Sequence, residues 1–528
     1  MVNLGRPPCS DGVIEAAPGV AGCARADKPW VLAAAILGSS MAFIDGSVVN
    51  VALPAMQADF AAPVHTLQWI VNAYMLMLGA LILVGGSAGD RYGRRRVFVL
   101  GIALFTLASV ACAVAPDAMT LILARAAQGI GGALLVPSSL AIISAAFPEE
   151  ERGKAIGTWA GFSALTTALG PVLGGWLVDT LSWRAIFIIN VPLAAATVAI
   201  ALSHVSESRD EESTGAIDWR GAVLVVAGLG ALTLGLTAAS EREWGDPAVW
   251  GPSLGGVLLL GWFIRIEAHA RAPMVPLSLF RSAAFGGANM MTLLLYFALS
   301  GALFFLPFNL IQIQGYSATL AGATFLPFTL IMGVLSRWSG ALVDRFGARW
   351  LLIIGPIISA AGIALFALPG IGGSYWATYF PAMAVLGLGM AVSVSPLTTT
   401  VMNAVGKRHA GVASGINNAV SRIAGTLAIA ILGVLAVGVF GAAFDARIAA
   451  LGLSAEQRGA LIAQVAGLAE IVLPDTLGQA DRAALGDAVG ESFIQSFRAV
   501  MLVCAALALL GALCAALTIR ARRAPASH

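Results

Sequence analysis

Asp45 interrupts an otherwise apolar run, Phe43-Ile44-Asp45-Gly46-Ser47-Val48-Val49-Asn50-Val51-Ala52-Leu53-Pro54. A carboxylate in the middle of such a run is suited to taking up and releasing protons, or to holding a cationic ligand. The alternative is a structural carboxylate paired permanently with an arginine. Arg125, Arg337 and Arg422 lie within spans, and Arg125 is the one expected to modulate an acid, with Asp45 a candidate. Arg125 stands in Leu123-Ala124-Arg125-Ala126-Ala127-Gln128-Gly129-Ile130-Gly131-Gly132. Arg125, Gln128, Gly129 and Gly132 follow the i, i+3, i+4, i+7 spacing of one helical face. That face is polar and small, so it must point into protein or a wet cavity, where Arg125 either modulates an acid such as Asp45 or makes structural hydrogen bonds.

A second pattern occurs twice. Residues 86–96 read Gly-Ser-Ala-Gly-Asp-Arg-Tyr-Gly-Arg-Arg-Arg, and residues 340–349 read Gly-Ala-Leu-Val-Asp-Arg-Phe-Gly-Ala-Arg. Both fit G-x-x-x-D-R-[YF]-G-x-R. Glycine permits a tight turn between helices. An aspartate beside an arginine can latch two helix ends together and release them. Gly86, Asp90, Arg91, Gly93 and Arg94, with Asp344 and Arg345 in the second copy, are the candidate gating residues. A bare topology signal would need arginines but not glycine and aspartate at fixed offsets. A third pattern is Gly170-Pro171-Val172-Leu173-Gly174-Gly175, which ends a small-residue stripe through Gly157, Gly161, Ala164 and Ala168. Small residues let helices approach closely, and the proline permits a kink.

The elements that carry these residues follow from composition. Of 528 residues, 59% are apolar and 11% charged, and the mean hydropathy is +0.87. A soluble protein carries roughly 25% charged residues. This excludes a soluble enzyme, a disordered chain and a nucleic-acid binder, and leaves an all-α polytopic membrane protein. Fourteen apolar runs are long enough to span a bilayer. Six lie within 29–204, two within 205–284 and six within 285–519, flanked by tails at 1–28 and 520–528. With both termini in the cytoplasm, 21 of the 30 basic residues fall in the tails and inside loops, as the positive-inside rule requires. The two copies of the Asp-Arg loop then follow the second span of each six-helix half, and such duplication marks secondary transporters. Residues 441–494 break the rhythm and read as an extracytoplasmic loop with a helical hairpin at about 454–470 and 478–492, by pattern alone.

With these motifs in place, the chain resembles the major facilitator superfamily, and within it the fourteen-span drug:proton antiporter branch of the EmrB/QacA type. The first-span segment, the Arg125 face, the Asp90 loop and Gly170–Gly175 are each similar to family motifs. Departures are Gly89 and Ser87 in the loop and Ala185 at the sixth-span entry. The resemblance implies two six-helix halves plus two extra spans. It also implies proton-coupled efflux of amphipathic drugs, cationic or neutral, across the cell membrane by rocking around a central site. Asp45 and Arg125 would couple protons, and Gly170, Pro171, Gly174 and Gly175 would mark an exporter. A dedicated exporter of one host metabolite or antibiotic would carry the same motifs.

Gln68, Asn72, Gln128, Asn289 and Arg422 are candidates to line the cavity. For the uncharged ones an interhelical hydrogen bond is an equal expectation. The partners expected are the bilayer, protons and a lipophilic small molecule, with a periplasmic adaptor only if the host has an outer membrane. No cofactor or metal is expected. The five cysteines lack ligand spacing, the five histidines are isolated, which argues against a membrane-embedded enzyme, and no G-x-x-x-x-G-K-[ST] loop suggests ATP drive.

Overall fold

The computed structural model describes residues 27–209, 217–270, 273–405, 410–472 and 478–519. Among these are fourteen helices able to cross a membrane. The first eight are α1 (Lys28–Phe60), α2 (Val64–Tyr92), α3 (Arg94–Ala113), α4 (Ala118–Ala146), α5 (Glu149–Thr180), α6 (Ala185–His204), α7 (Trp219–Ala238) and α8 (Pro247–His269). The last six are α9 (Ala283–Ile313), α10 (Ala318–Ala323 and Leu326–Phe346), α11 (Ala348–Leu365), α12 (Tyr379–Asn403), α13 (Ala410–Ile448) and α14 (Gln479–Thr518). The expected tails lie almost wholly outside the described residues.

The duplication seen in the sequence reappears in the packing. In the first half α1 packs on α5 and α6, α4 on α2 and α3, and α3 on α6. In the second half α9 packs on α13 and α14, α12 on α10 and α11, and α11 on α14. The two loop glycines are also equivalent. Gly93 has φ +107° and Gly347 has φ +76°, and each caps the N-terminus of the next helix. Left-handed backbone there explains why both copies of the motif keep glycine.

Two seams join the halves: α2 against α13 and α5 against α10. The second is a wedge. At the end away from the Asp90 loop, a Cβ on Gly175 would collide with the Ala318 carbonyl, and one on Gly322 with the Pro171 carbonyl. There Asp179 at the end of α5 accepts hydrogen bonds from the backbone N–H groups of Ala318 (3.1 Å) and Thr319 (2.8 Å) and from the Thr319 hydroxyl (2.5 Å). Toward the Asp90 loop, nothing among the described residues approaches Gly153, Gly157 or Gly161, and Leu330, Val334 and Trp338 on α10 are exposed. This seam is therefore sealed at one end and, among the described residues, parted at the other.

The segment after α13 differs from the sequence expectation. α13 runs on to Ile448, a short helix covers Ala455–Ile462, and the expected second arm is the beginning of α14. Continuing a helix leaves no backbone group unpaired, so two long helices project beyond the bilayer in place of a separate hairpin. Residues 473–477 of the expected loop lie outside the described residues. The loop crosses the sealed end: Gln57 on α1 donates to the Gly467 carbonyl (3.1 Å), and Gln312 on α9 donates to Gln57 (3.0 Å) and Glu470 (3.0 Å).

Replacing Gly175 by valine should weaken this seal by about 1–3 kcal/mol, the usual cost of overpacking. Spin labels at the exposed positions Leu181 and Leu320 should then show a new population at longer separation. An unchanged distance distribution would refute the seal.

Candidate functional site

The polar centre of the first half is built by glycine. A Cβ on Gly129 would strike the Tyr74 carbonyl of α2, and Cβ atoms on Gly101 and Gly131 would strike the facing helix between α3 and α4. α4 therefore sits close against α2 and α3, and its Arg125–Gln128 face is pressed onto α1. Asp45 is 0% exposed and Arg125 1%. Arg125 Nη1 donates to Asp45 Oδ2 at 2.5 Å and to Gln128 Oε1 at 2.7 Å, and its Nε donates to the Ile70 carbonyl at 3.2 Å. Gln128 Nε2 donates to Asp45 Oδ1 at 2.9 Å. Both carboxylate oxygens are thus held, by an ion pair on one side and an amide on the other. The Arg125 guanidinium also stacks 4.3 Å from the Tyr74 ring centroid.

A second layer orients the first. Ser109 on α3 accepts from Gln128 (3.1 Å) and from Asn190 of α6 (2.8 Å), and donates to the Phe187 carbonyl (3.0 Å). Tyr74 donates to the Ala42 carbonyl (3.2 Å). Sequence reasoning did not single out Ser109, and it met Asn190 only as part of the sixth-span entry segment 182–192, without a role. The available signal was polar residues inside apolar runs, which is weak because most such residues bond only their own helix.

The other candidates separate into distinct places. Gln68 is buried in the α2–α13 seam and donates to the Ile429 carbonyl at 2.9 Å. Asn72 is buried, and neither amide atom has a hydrogen-bond partner among the described residues. Asn289 donates to the Phe285 carbonyl (2.9 Å) and accepts from Asn417 (3.2 Å). Expected as cavity-lining residues, these three and Gln128 are instead packed between helices in this conformation. Arg422 differs: only half-buried, it keeps part of its side chain open.

The Asp90 loop is a turn built within one half. Asp90 accepts from Arg94 Nε (3.0 Å) and Nη2 (2.9 Å). Glu207, after α6, accepts from the backbone N–H groups of Arg95 (3.0 Å) and Arg96 (3.2 Å). This carboxylate caps the start of α3, where Gly93 offers no side chain. A Cβ at Gly93 would run into it. Glu207 was missed because the cap comes from more than a hundred residues away. In the second copy, the side chains of Asp344 and Arg345 lie outside the described residues. In the Gly170–Gly175 motif, Gly170 meets Ser47 and Gly174 meets Val48 on α1, while Gly175 meets α10. Pro171 lies inside α5, and its carbonyl faces Gly322.

This all-helical arrangement of two similar halves accords with the comparisons. The family description "Major Facilitator Superfamily" matches residues 35–429. The chain belongs to the Major Facilitator Superfamily. It is a multi-pass membrane transporter rather than an enzyme. Among its relatives is the tetracenomycin C resistance and export protein of Streptomyces glaucescens, 32% identical over 509 residues, covering 94% of each chain. Another is the multidrug resistance protein Stp of Mycobacterium tuberculosis, 36% identical over 402 residues, covering 75% of this chain and 74% of the relative. Among solved structures, a bacterial homologue of the lysosomal transporter Spinster, described as inward-facing and unoccupied, matches with TM-score 0.66 at 18% identity. It covers 95% of this chain and all of the other, and supports the fold.

Breaking the pair should cost more than removing it. Asp45→Asn leaves Arg125 buried without a counter-charge, which is worth about 3–5 kcal/mol. The double variant Asp45→Asn/Arg125→Gln should regain much of that loss. Thermal unfolding of the purified proteins reads this directly, and a double variant less stable than Asp45→Asn would contradict it.

Proposed function

We propose that this transporter is a proton-driven exporter of amphipathic, antibiotic-like compounds, working by alternating access of its two halves. The observation that carries the reading is the sealed ion pair of Asp45 and Arg125. Its support is the family, together with relatives whose names state antibiotic resistance or export. The Arg-rich loop side is taken as cytoplasmic, as in the charge asymmetry of the sequence. The conformation is then inward-open, with Asp45 held against Arg125.

The cycle follows from charge balance. Protonating Asp45 removes the counter-charge of a buried guanidinium and leaves it unpaired, so the packing that suits the ion pair no longer suits the protonated site. An outward-open state would let Asp45 take a proton from outside as substrate leaves. Return to the inward-open state would restore the pair and release the proton inside. One proton moving down 100 mV supplies about 2.3 kcal/mol, enough for a concentration gradient of roughly fiftyfold at 1.4 kcal/mol per decade.

The test is efflux from energised cells, with and without a protonophore, for wild type and Asp45→Asn at matched membrane expression. Export should stop with the protonophore and be lost in the variant. Efflux that survives Asp45→Asn unchanged would remove Asp45 from the coupling role. A second reading, a dedicated exporter of one compound, is favoured by the relatives named for single antibiotics, such as the cephamycin export protein of Amycolatopsis lactamdurans. A substrate panel separates the two: several unrelated compounds exported, or one.

A further inference from the structure

The two arginines that the structure describes deep in the spans are used in opposite ways. Arg125 spends its donors on Asp45, Gln128 and the Ile70 carbonyl. The Arg422 guanidinium has no hydrogen-bond or ion-pair partner among the described residues, and its Nε is buried without one. It lies where α13 meets α2 and α9. Its Cβ rests on Gly79 of α2, and its titratable neighbours are the phenols of Tyr74 and Tyr296, which are uncharged at neutral pH. One turn further along α13, Ser300 of α9 and Met75 of α2 face Gly425. On the side toward the open end, Asn418 is exposed.

An arginine kept for structure satisfies its five donors on carbonyls and carboxylates, as Arg125 does. An unpaired cation in this setting is costly, and the cost is offset only when an anion arrives. Lipid phosphate is too far away: Arg422 is twelve residues into α13, about 18 Å at 1.5 Å per residue. Among the described residues no carboxylate is left to pair with it: its titratable neighbours are tyrosines, and the charge of Asp45 is already cancelled by Arg125. The fixed charge left uncompensated at this point is positive.

We propose that Arg422 is the anchor of the substrate site and that the exported compound carries an ionised acidic oxygen, a carboxylate or acidic phenol, on an apolar aromatic body. The guanidinium pairs with the oxyanion, the hydroxyls of Tyr296 and Ser300 add hydrogen bonds, and Met75 packs on the body. This replaces the cationic or neutral substrate expected from family resemblance. It rests on the export reading for the word substrate, but the site itself is tested without transport.

The experiment is equilibrium binding to purified protein in nanodiscs, without any gradient, read by energy transfer from tryptophan to pyrene. Two probes share one body and differ in head group: 1-pyrenebutyrate and 1-pyrenebutyl-trimethylammonium. Empty nanodiscs give the lipid background. Wild type should bind the carboxylate at least about tenfold more tightly than the ammonium, a difference of about 1.4 kcal/mol. Arg422→Gln should erase the preference, and Arg422→Lys should keep part of it, which separates loss of charge from loss of fold. Thermal unfolding of both variants provides the same check. A preference for the ammonium, equal binding, no saturable binding of the carboxylate, or an anion preference intact in Arg422→Gln each overturns the proposal. Failure of protonophore-sensitive efflux would instead overturn the export reading and leave this result standing.

Discussion

The contact between Asp45 and Arg125 governs the architecture of the first half. Two charges can stay this deep only if each satisfies the other and every remaining donor and acceptor finds a partner. Gln128, the Ile70 carbonyl, Ser109 and Asn190 meet that demand from four helices. The glycines of α4 are there because those partners must be within about 3 Å, and a side chain at Gly129 or Gly131 would hold α2 and α3 away.

The same stretch of α1 also seats the gate. Two and three residues beyond Asp45, Ser47 and Val48 receive Gly170 and Gly174 of α5, and one residue later Gly175 meets α10. A change in how α1 sits against α4 is therefore felt by α5 within a turn, and by the sealed end through Asp179 and Thr319. Close-packed helices transmit a displacement rather than absorb it, so the charge pair and the seal share one rigid stretch of α1.

Much of this was legible in the sequence. Span number, duplication and the loop glycines follow from hydropathy length and from a motif whose glycines need positive φ, as Gly93 and Gly347 show. The Asp45–Arg125 pair was nameable because charged residues in apolar runs are few. The supporting residues were not. Glu207 caps a helix from a distant loop, and whether Gln68 or Asn289 faces a cavity or a neighbouring helix depends on helix rotation, which an all-round apolar sequence does not encode. The segment after α13 was misread for a related reason. A polar stretch signals departure from the bilayer, not the end of a helix, and α14 begins well outside it.

The two extra spans bear on where the molecule bends. α7 packs on both α2 and α13, and Trp69 of α2 donates to Thr237 of α7 at 3.1 Å. The hairpin thus braces the seam that stays closed along its length, from Gln68 on Ile429 to Leu83 on Gly415. The opposite seam, α5 on α10, has no such brace and is the one that stands open toward the Asp90 loop. α8 adds little to the core and exposes Trp250, Leu258 and Trp262 outward, as a lipid-facing helix does. The result is an asymmetric clamp, closed on the α2–α13 side and, among the described residues, open on the α5–α10 side toward the Asp90 loop. Arg422 lies within this braced seam, with its Cβ against Gly79 of α2.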